Sequence, residues 1–307
     1  MYDLAQLLPH GAAPRHELTL ATSTTSVARW TADGDLVHLH PGVVVLADRL
    51  DDPAVKARAA TLWARGPLSH FSALAAWGVV PGPISPIHVT VPADRFPRGS
   101  SGVIAHRTTL PLPVTRIDDI PVVHLTRSLV DAWSWAHSPR RNHAATHDQA
   151  GARQAVIESV RSRGVSIAAL RDESTRLRIH GGRAELRRLL DLLAGGCESE
   201  LEIWGVTRVL PGPPRLPAYV QQHPVRLPDG RWIRHDAAYV EALVAVELDG
   251  AAFHGSRAAR ERDLRRDSAL AALGWVVLRF SYARLVSDPD GCRREIEAVV
   301  RHRLALR

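Results

Sequence analysis

Apolar positions recur along this chain with a spacing that changes from region to region. Leu4, Leu7 and Leu8 fall on one face of a short helix, residues 16–20 supply a second, and Ser23-Thr24-Thr25 offers caps for a third running to Trp30. Thr31–Asp35 breaks that period, and Leu36–Leu46 reads as two strands about the Pro41-Gly42 turn. Helical spacing returns over Ala54–Trp63 and over Ser69–Gly78, a capped helix ended by glycine. Strands are expected at Ile87–Pro92 and Val103–Arg107, and Pro121–Thr126 leads into an apolar helix through Trp135. Ser138–Ala150 is polar and rich in histidine, the composition of a surface loop. Helices near 151–163, 166–172 and 181–194 follow, and Gly195-Gly196 closes the region.

The last third has a different order. A helix over Glu198–Val209 and a stiff Pro211–Pro214 loop precede strands at Tyr219–Val225, Arg231–Val240 and Leu243–Asp249. Ser256 caps a long charged helix to Leu273, Gly274 stops it, and Trp275–Phe280 forms a further strand. Asp288-Pro289 then starts a helix that places Ile296, Val299, Val300 and Leu304 on one face.

These elements predict an α/β (α+β) chain in three parts. Residues 1–47, three short helices and a β-hairpin, have the order of a winged helix-turn-helix. Its third helix would present Ser26 and Arg29 to a DNA major groove. Residues 48–194 form a mixed α/β middle domain, and residues 195–307 an αβββαβα domain. A length of 307 residues suits two or three cores. No apolar run approaches a membrane span of roughly 18 residues, and the first residues lack the pattern of a signal peptide. The two cysteines, Cys197 and Cys292, are far apart, which excludes a disulfide scaffold or cysteine zinc site and fits a cytoplasmic protein.

Charge adds a partner class. The net charge is +7, and Lys56 is the single lysine among 39 Lys and Arg residues. An arginine-made surplus points to nucleic acid or to a merely solvated basic surface. Any lysine-dependent chemistry would have to run through Lys56. No GxSxG, nucleotide-binding GxGxxG or GxxxxGK[ST] motif occurs.

The densest chemistry lies near the end. If Glu241-Ala242 is a two-residue loop, Asp236 falls opposite Glu247, and alternation puts Asp249 on the same face. Opposed like charges destabilise a sheet, and a hard divalent cation such as Mg²⁺ would relieve them. The alternative is an exposed strand end with solvated acids.

Further residues accumulate around that pair: Ser199-Glu200-Leu201-Glu202, His235-Asp236, Glu247-Leu248-Asp249-Gly250 with Phe253-His254, and Arg266-Asp267…Leu270…Gly274-Trp275…Leu278-Arg279-Phe280. Together they resemble the very-short-patch-repair-like branch of the PD-(D/E)XK nuclease superfamily over about residues 197–307. The resemblance implies a DNA endonuclease using Mg²⁺ or Mn²⁺, with Glu202, Asp236 and Glu247 as its acidic residues. Asp249 stands where the superfamily has a lysine. His254 could accept the proton from water in its place, and Arg266, or Arg262 one turn earlier, could hold the phosphate.

The first 190 residues are similar to AbiEi-type antitoxins. The segments carrying the likeness are Leu36–Val43, Leu68–Gly78, Ile87–Pro92 and Thr126–Asp131. The likeness implies DNA binding, autoregulation of an operon and a cognate toxin, or self-association, as partner. His70 reads as a structural residue of its helix start. His38 and His40 share a strand face that could seat zinc, but spacing places no third ligand, and the other histidines make no convincing metal set. Two functions therefore stand: a metal-dependent DNA endonuclease, or a transcriptional regulator that keeps the nuclease fold for binding alone.

Overall fold

Residues 3–138, 149–177, 181–249 and 257–306 are described by a computed structural model, without the side chains of Asp249 and 257–260. The chain divides into two compact units, Met1–Leu186 and Arg187–Arg307.

The first unit begins with α1 (Leu4–Leu7), β1 (Ala12–Pro14), α2 (Arg15–Ala21), α3 (Thr24–Ala32), β2 (Leu36–His40) and β3 (Val43–Leu46). Ser23 caps α3 by accepting the N–H of Ser26. Leu8, Leu18, Val27, Trp30, Leu36, Val44 and Leu46 close one core beneath these helices. β1 was not expected from its three residues. It pairs with β3, which makes a three-stranded sheet of what reads in the sequence as a hairpin. The shared face of His38 and His40 does not form. The β2–β3 register shifts between them, leaving His38 exposed and His40 buried, 5.6 Å from the Trp63 ring and hydrogen-bonded to Ser100.

The unit continues with α4 (Pro53–Ala64), α5 (His70–Ala76), β4 (Ile87–Pro92), β5 (Val103–Thr108), β6 (Val114–Ile117), β7 (Ile120–Val123), α6 (Leu125–Ala136), α7 (Gln149–Arg163) and α8 (Ile167–Arg176). β4 and β5 run parallel, and Leu68 bridges Val89 and Val122, tying β4 to β7. Of the expected loop at Ser138–Ala150, residues 139–148 lie outside the described residues, and Gln149 and Ala150 already belong to α7. β6 and β7 form a hairpin around Asp118 and Asp119, both at positive φ. Buried Arg127 of α6 joins Asp131 on its own helix to Glu173 of α8. Helix α9 (Arg183–Ala194) carries the chain across the divide between the units.

The second unit holds α10 (Glu200–Arg208), β8 (Val220–Arg226), β9 (Trp232–Tyr239), β10 (Val244–Asp249), α11 (Arg257–Ala272), β11 (Val276–Ser281), α12 (Tyr282–Ser287) and α13 (Pro289–Ala305). One sheet has the order β11-β10-β9-β8, with β10 and β11 parallel and the other pairs antiparallel. Parallel neighbours require a crossover, which α11 supplies. Alternation then sorts the strands. Val244, Val246 and Leu248 pack with Ile296 and Val300 of α13, whereas Ala245 and Ala238 pack with Leu270 of α11 and Trp275. A Cβ on Gly205 would overlap Leu248 Cδ1, so glycine is what lets α10 lie this close to β10. The short α12 adds one helix to the expected order.

Candidate active site

The hairpin between β9 and β10 sets the register of the acids. Leu243 donates its N–H to the Val240 carbonyl, and Tyr239↔Val244, Ala238↔Ala245 and Ala237↔Val246 are paired. The ladder ends there. Asp236 would come next, but its Oδ2 instead accepts the backbone N–H of Leu248 at 2.7 Å. The side chain that meets Glu247 from β9 is His235, whose Nδ1 lies 3.1 Å from Glu247 Oε1.

Glu247 is enclosed by positive charge. Its Oε2 accepts from Arg279 Nε at 2.6 Å and from Arg266 Nη2 at 3.1 Å. Arg279 is its register partner on β11, and the guanidinium also holds Asp267 of α11. Burial by itself would raise the Glu247 carboxyl. The bonds from His235 and Arg279, with the charges of Arg266 and Arg279, outweigh it and hold the group at about 2. Asp236 has the opposite balance. Burial pushes it up to about 6, and the charges of Glu202 and Glu247 push the same way against the Leu248 bond and His235.

Glu202 serves its own helix. Ser199 accepts the Glu202 N–H and donates to Oε1, while Oε2 accepts from the Glu198 N–H and from Gln222 Nε2. This variant of the capping box, in which Glu202 takes the N–H of Glu198 and the Ser199 hydroxyl, is the physical content of the Ser199-x-x-Glu202 pattern. Among the described residues, Glu202, Asp236 and Glu247 do not bring three ligand atoms within 4.8 Å of one another.

The remaining site residues are distributed as follows. Asp249 ends β10 opposite Ser281. His254 and the helix cap Ser256 lie outside the described residues. Arg266 pairs with Glu247, not with Asp263, and Arg262 is exposed on α11. On α3, Arg29 is exposed beside the Trp30 ring, whereas the Ser26 hydroxyl accepts from Ser23 within the helix cap. His235, Asp267 and Arg279 belong to the motif that the sequence shows, but the motif alone assigns them no role. A signal existed for Arg279, since an arginine between Leu278 and Phe280 in an apolar strand needs a carboxylate partner. His235 is fully buried, and its Nε2 has no hydrogen-bond partner among the described residues.

A hard cation fits Asp236 best of the three carboxylates. Its charged form is short of a counter-charge, whereas Glu247 and Glu202 have both oxygens engaged. A site of one or two carboxylates completed by water is the usual one for Mg²⁺.

The second unit is thus an α/β fold in which acids and arginines meet beside the paired strands β9, β10 and β11. Residues 232–300 match the REase_MTES_1575 family, a restriction-endonuclease-like family, and the chain carries a restriction-endonuclease-like domain at its C-terminal end. The matched span takes in Asp236, Glu247, Asp249, His254, Arg262, Arg266 and Arg279 and excludes Glu202. No curated protein matches the chain. No helix among the described residues is long and apolar enough to cross a membrane.

Proposed function

We propose that the protein binds DNA and hydrolyses its phosphodiester bonds with a divalent cation, Mg²⁺ or Mn²⁺, held at Asp236. The observation that carries this reading is the match of residues 232–300 to a restriction-endonuclease-like family, a span that holds Asp236 on the Leu248 N–H beside the Glu247, Arg266 and Arg279 cluster. The chemistry such an ion supplies is neutralisation of charge on the phosphate and acidification of a water. Asp236 holds the ion with the Leu248 N–H fixing its orientation. Arg266, partly exposed and resting on Glu247, would exchange that carboxylate for a DNA phosphate. His254 accepts the proton that the missing lysine would otherwise help to manage.

The wider setting follows the resemblances: a very-short-patch-repair-like domain behind an AbiEi-like, winged-helix-bearing region. Its work would be cytoplasmic, in defence, repair or a toxin–antitoxin pair. The experiment is nicking of supercoiled plasmid with Mg²⁺ or Mn²⁺, expected for the native protein and lost in Asp236→Ala. Equal nicking by the two proteins overturns the assignment.

A second reading has its own support. Glu247 carries two arginines and a histidine, and residues 187–307 contain no lysine, as suits a nuclease fold retained for binding. In that case the full chain binds DNA tightly in a salt-dependent manner through Arg29 and its neighbours and never cuts it. Metal-dependent nicking lost with Asp236 excludes this version.

A further inference from the structure

Three histidines that are distant in sequence meet in the first unit. His88 lies on β4 and His106 on β5, and the parallel register His88↔Ile104, Thr90↔His106 puts them on one face as diagonal neighbours. His70, the first residue of α5, stacks on His106 with ring centroids 3.6 Å apart. One ligand nitrogen from each ring lies within 4.8 Å of the other two. His88 Nδ1 and His106 Nε2 are 2.9 Å apart. Trp135 of α6 stands edge-on to all three rings and walls the cluster from one side.

The backbone is bent to make this arrangement. His70 sits at φ 50, in the left-handed region that a non-glycine residue seldom occupies inside an element. Ser69, in the cap position of α5, makes no side-chain cap bond. Its hydroxyl is buried and lies 2.9 Å from His70 Nδ1 instead. The Ser69 N–H donates to the His88 carbonyl, and the His88 N–H donates to the Ser72 hydroxyl, so the start of α5 is fastened to β4 beside the rings. The helix start that forgoes its cap bond and carries a residue at positive φ is the same one that sets an imidazole against two others. A hydrogen-bond acceptor on the far nitrogen of a ligating histidine is the usual way such a ring is oriented, and the Ser69 hydroxyl can act as one.

We propose that His70, His88 and His106 form a site for a borderline-soft divalent transition metal, Zn²⁺ by preference, which pins α5 to the β4–β5 pair. Imidazole is the ligand such ions favour, and three histidines leave the fourth tetrahedral position to water. Zn–N bonds of about 2.0–2.1 Å put ligand nitrogens about 3.3 Å apart, close to the spacing already present; the stacked rings must turn out of their near-parallel arrangement for their lone pairs to converge on one ion. His70 binds through Nε2 while its Nδ1–H donates to Ser69. His106 is only half-buried, which opens the site to an entering ion. Nothing in the chemistry of the C-terminal carboxylates is required.

The test is titration of the metal-free full-length protein with Co²⁺ and Zn²⁺. Native protein is expected to take one equivalent of Co²⁺ with the intense visible absorption of a tetrahedral nitrogen-rich site, which an octahedral all-oxygen site lacks, and Zn²⁺ should displace it. His106→Gln, whose substituted side chain is half-exposed, should lose that absorption with folding checked by circular dichroism. Ser69→Ala should weaken binding about 10–100-fold. His38→Gln and Asp236→Ala should each keep the native spectrum. Absence of the tetrahedral spectrum in native protein, or its retention in His106→Gln, overturns the site.

Discussion

Arg279 and Glu247 are register partners on adjacent parallel strands, and the guanidinium Nε meets the carboxylate at 2.6 Å. Asp267 takes the other nitrogens of Arg279, so α11, β10 and β11 are tied through one side chain. The cluster is only partly buried, which places it between a surface ion pair of small worth and a buried pair that is costly to break.

Glu247→Gln should therefore destabilise the protein by about 2–3 kcal/mol at pH 7, below the roughly 3–5 kcal/mol for breaking a fully buried pair. Because Glu247 is held at about 2, its contribution is present above the ordinary carboxylate range and lost as pH falls towards about 2. Urea denaturation at pH 7 and at pH 3 checks this: the gap between variant and native protein should narrow at the lower pH.

Asp236→Asn should do the reverse. Asp236 titrates at about 6 in the folded chain, so the native state holds a proton that the unfolded chain has released between about pH 4 and 6. Stability falls as pH rises through that window. Without divalent metal, the variant should be about 1–3 kcal/mol more stable than native protein at pH 7.5 and nearly equal near pH 4. Adding Mg²⁺ should raise the melting temperature of native protein only.

Arg127 lies buried against Asp131, at 2.9 Å, and Glu173, at 3.2 Å. Burial pushes Asp131 up to about 6 even with the guanidinium opposing it. Arg127→Ala leaves two buried carboxylates without their cation and should cost about 3–5 kcal/mol. The loss should be larger at pH 8 than at pH 5, where Asp131 can stay protonated. Thermal melts at the two pH values read the difference.

Arg29→Ala tests the DNA face of α3. If Arg29 meets a phosphate, the slope of log affinity against log salt should fall by about 1, and binding should weaken alike on all sequences. Fluorescence anisotropy across a salt series measures both. An unchanged slope removes Arg29 from the interface.

Much of the second unit was legible in advance. The apolar run ending in Glu247, the Gly274 stop and the Asp288-Pro289 start each mark an element boundary, and Gly274 and Asp288 do so with local backbone chemistry. The Asp236 register was legible as far as Ala237↔Val246. Beyond it, Asp236 turned to the Leu248 N–H and His235 took its place beside Glu247, which alternation could not foretell. β1 and β6 escaped because strands of three or four residues show too little alternation and are defined by their partners. The β6–β7 hairpin did leave a trace, since Asp118-Asp119 between Ile117 and Ile120 is a turn pair that tolerates positive φ.

The sequence by itself determined most of the order of helices and strands, apart from the short β1, β6 and α12, together with the basic arginine surplus and the candidate acids, because period, capping and composition act over a few residues. Only the tertiary structure decided which charges meet. Arg279 reaches Glu247 through the α11 crossover between parallel strands, and His70, His88 and His106 converge through α5 and the β4–β5 register. Both groupings join residues whose separation along the chain carries no signal. Electrostatics and metal ligation depend on distances of a few ångströms in space, and packing alone sets those.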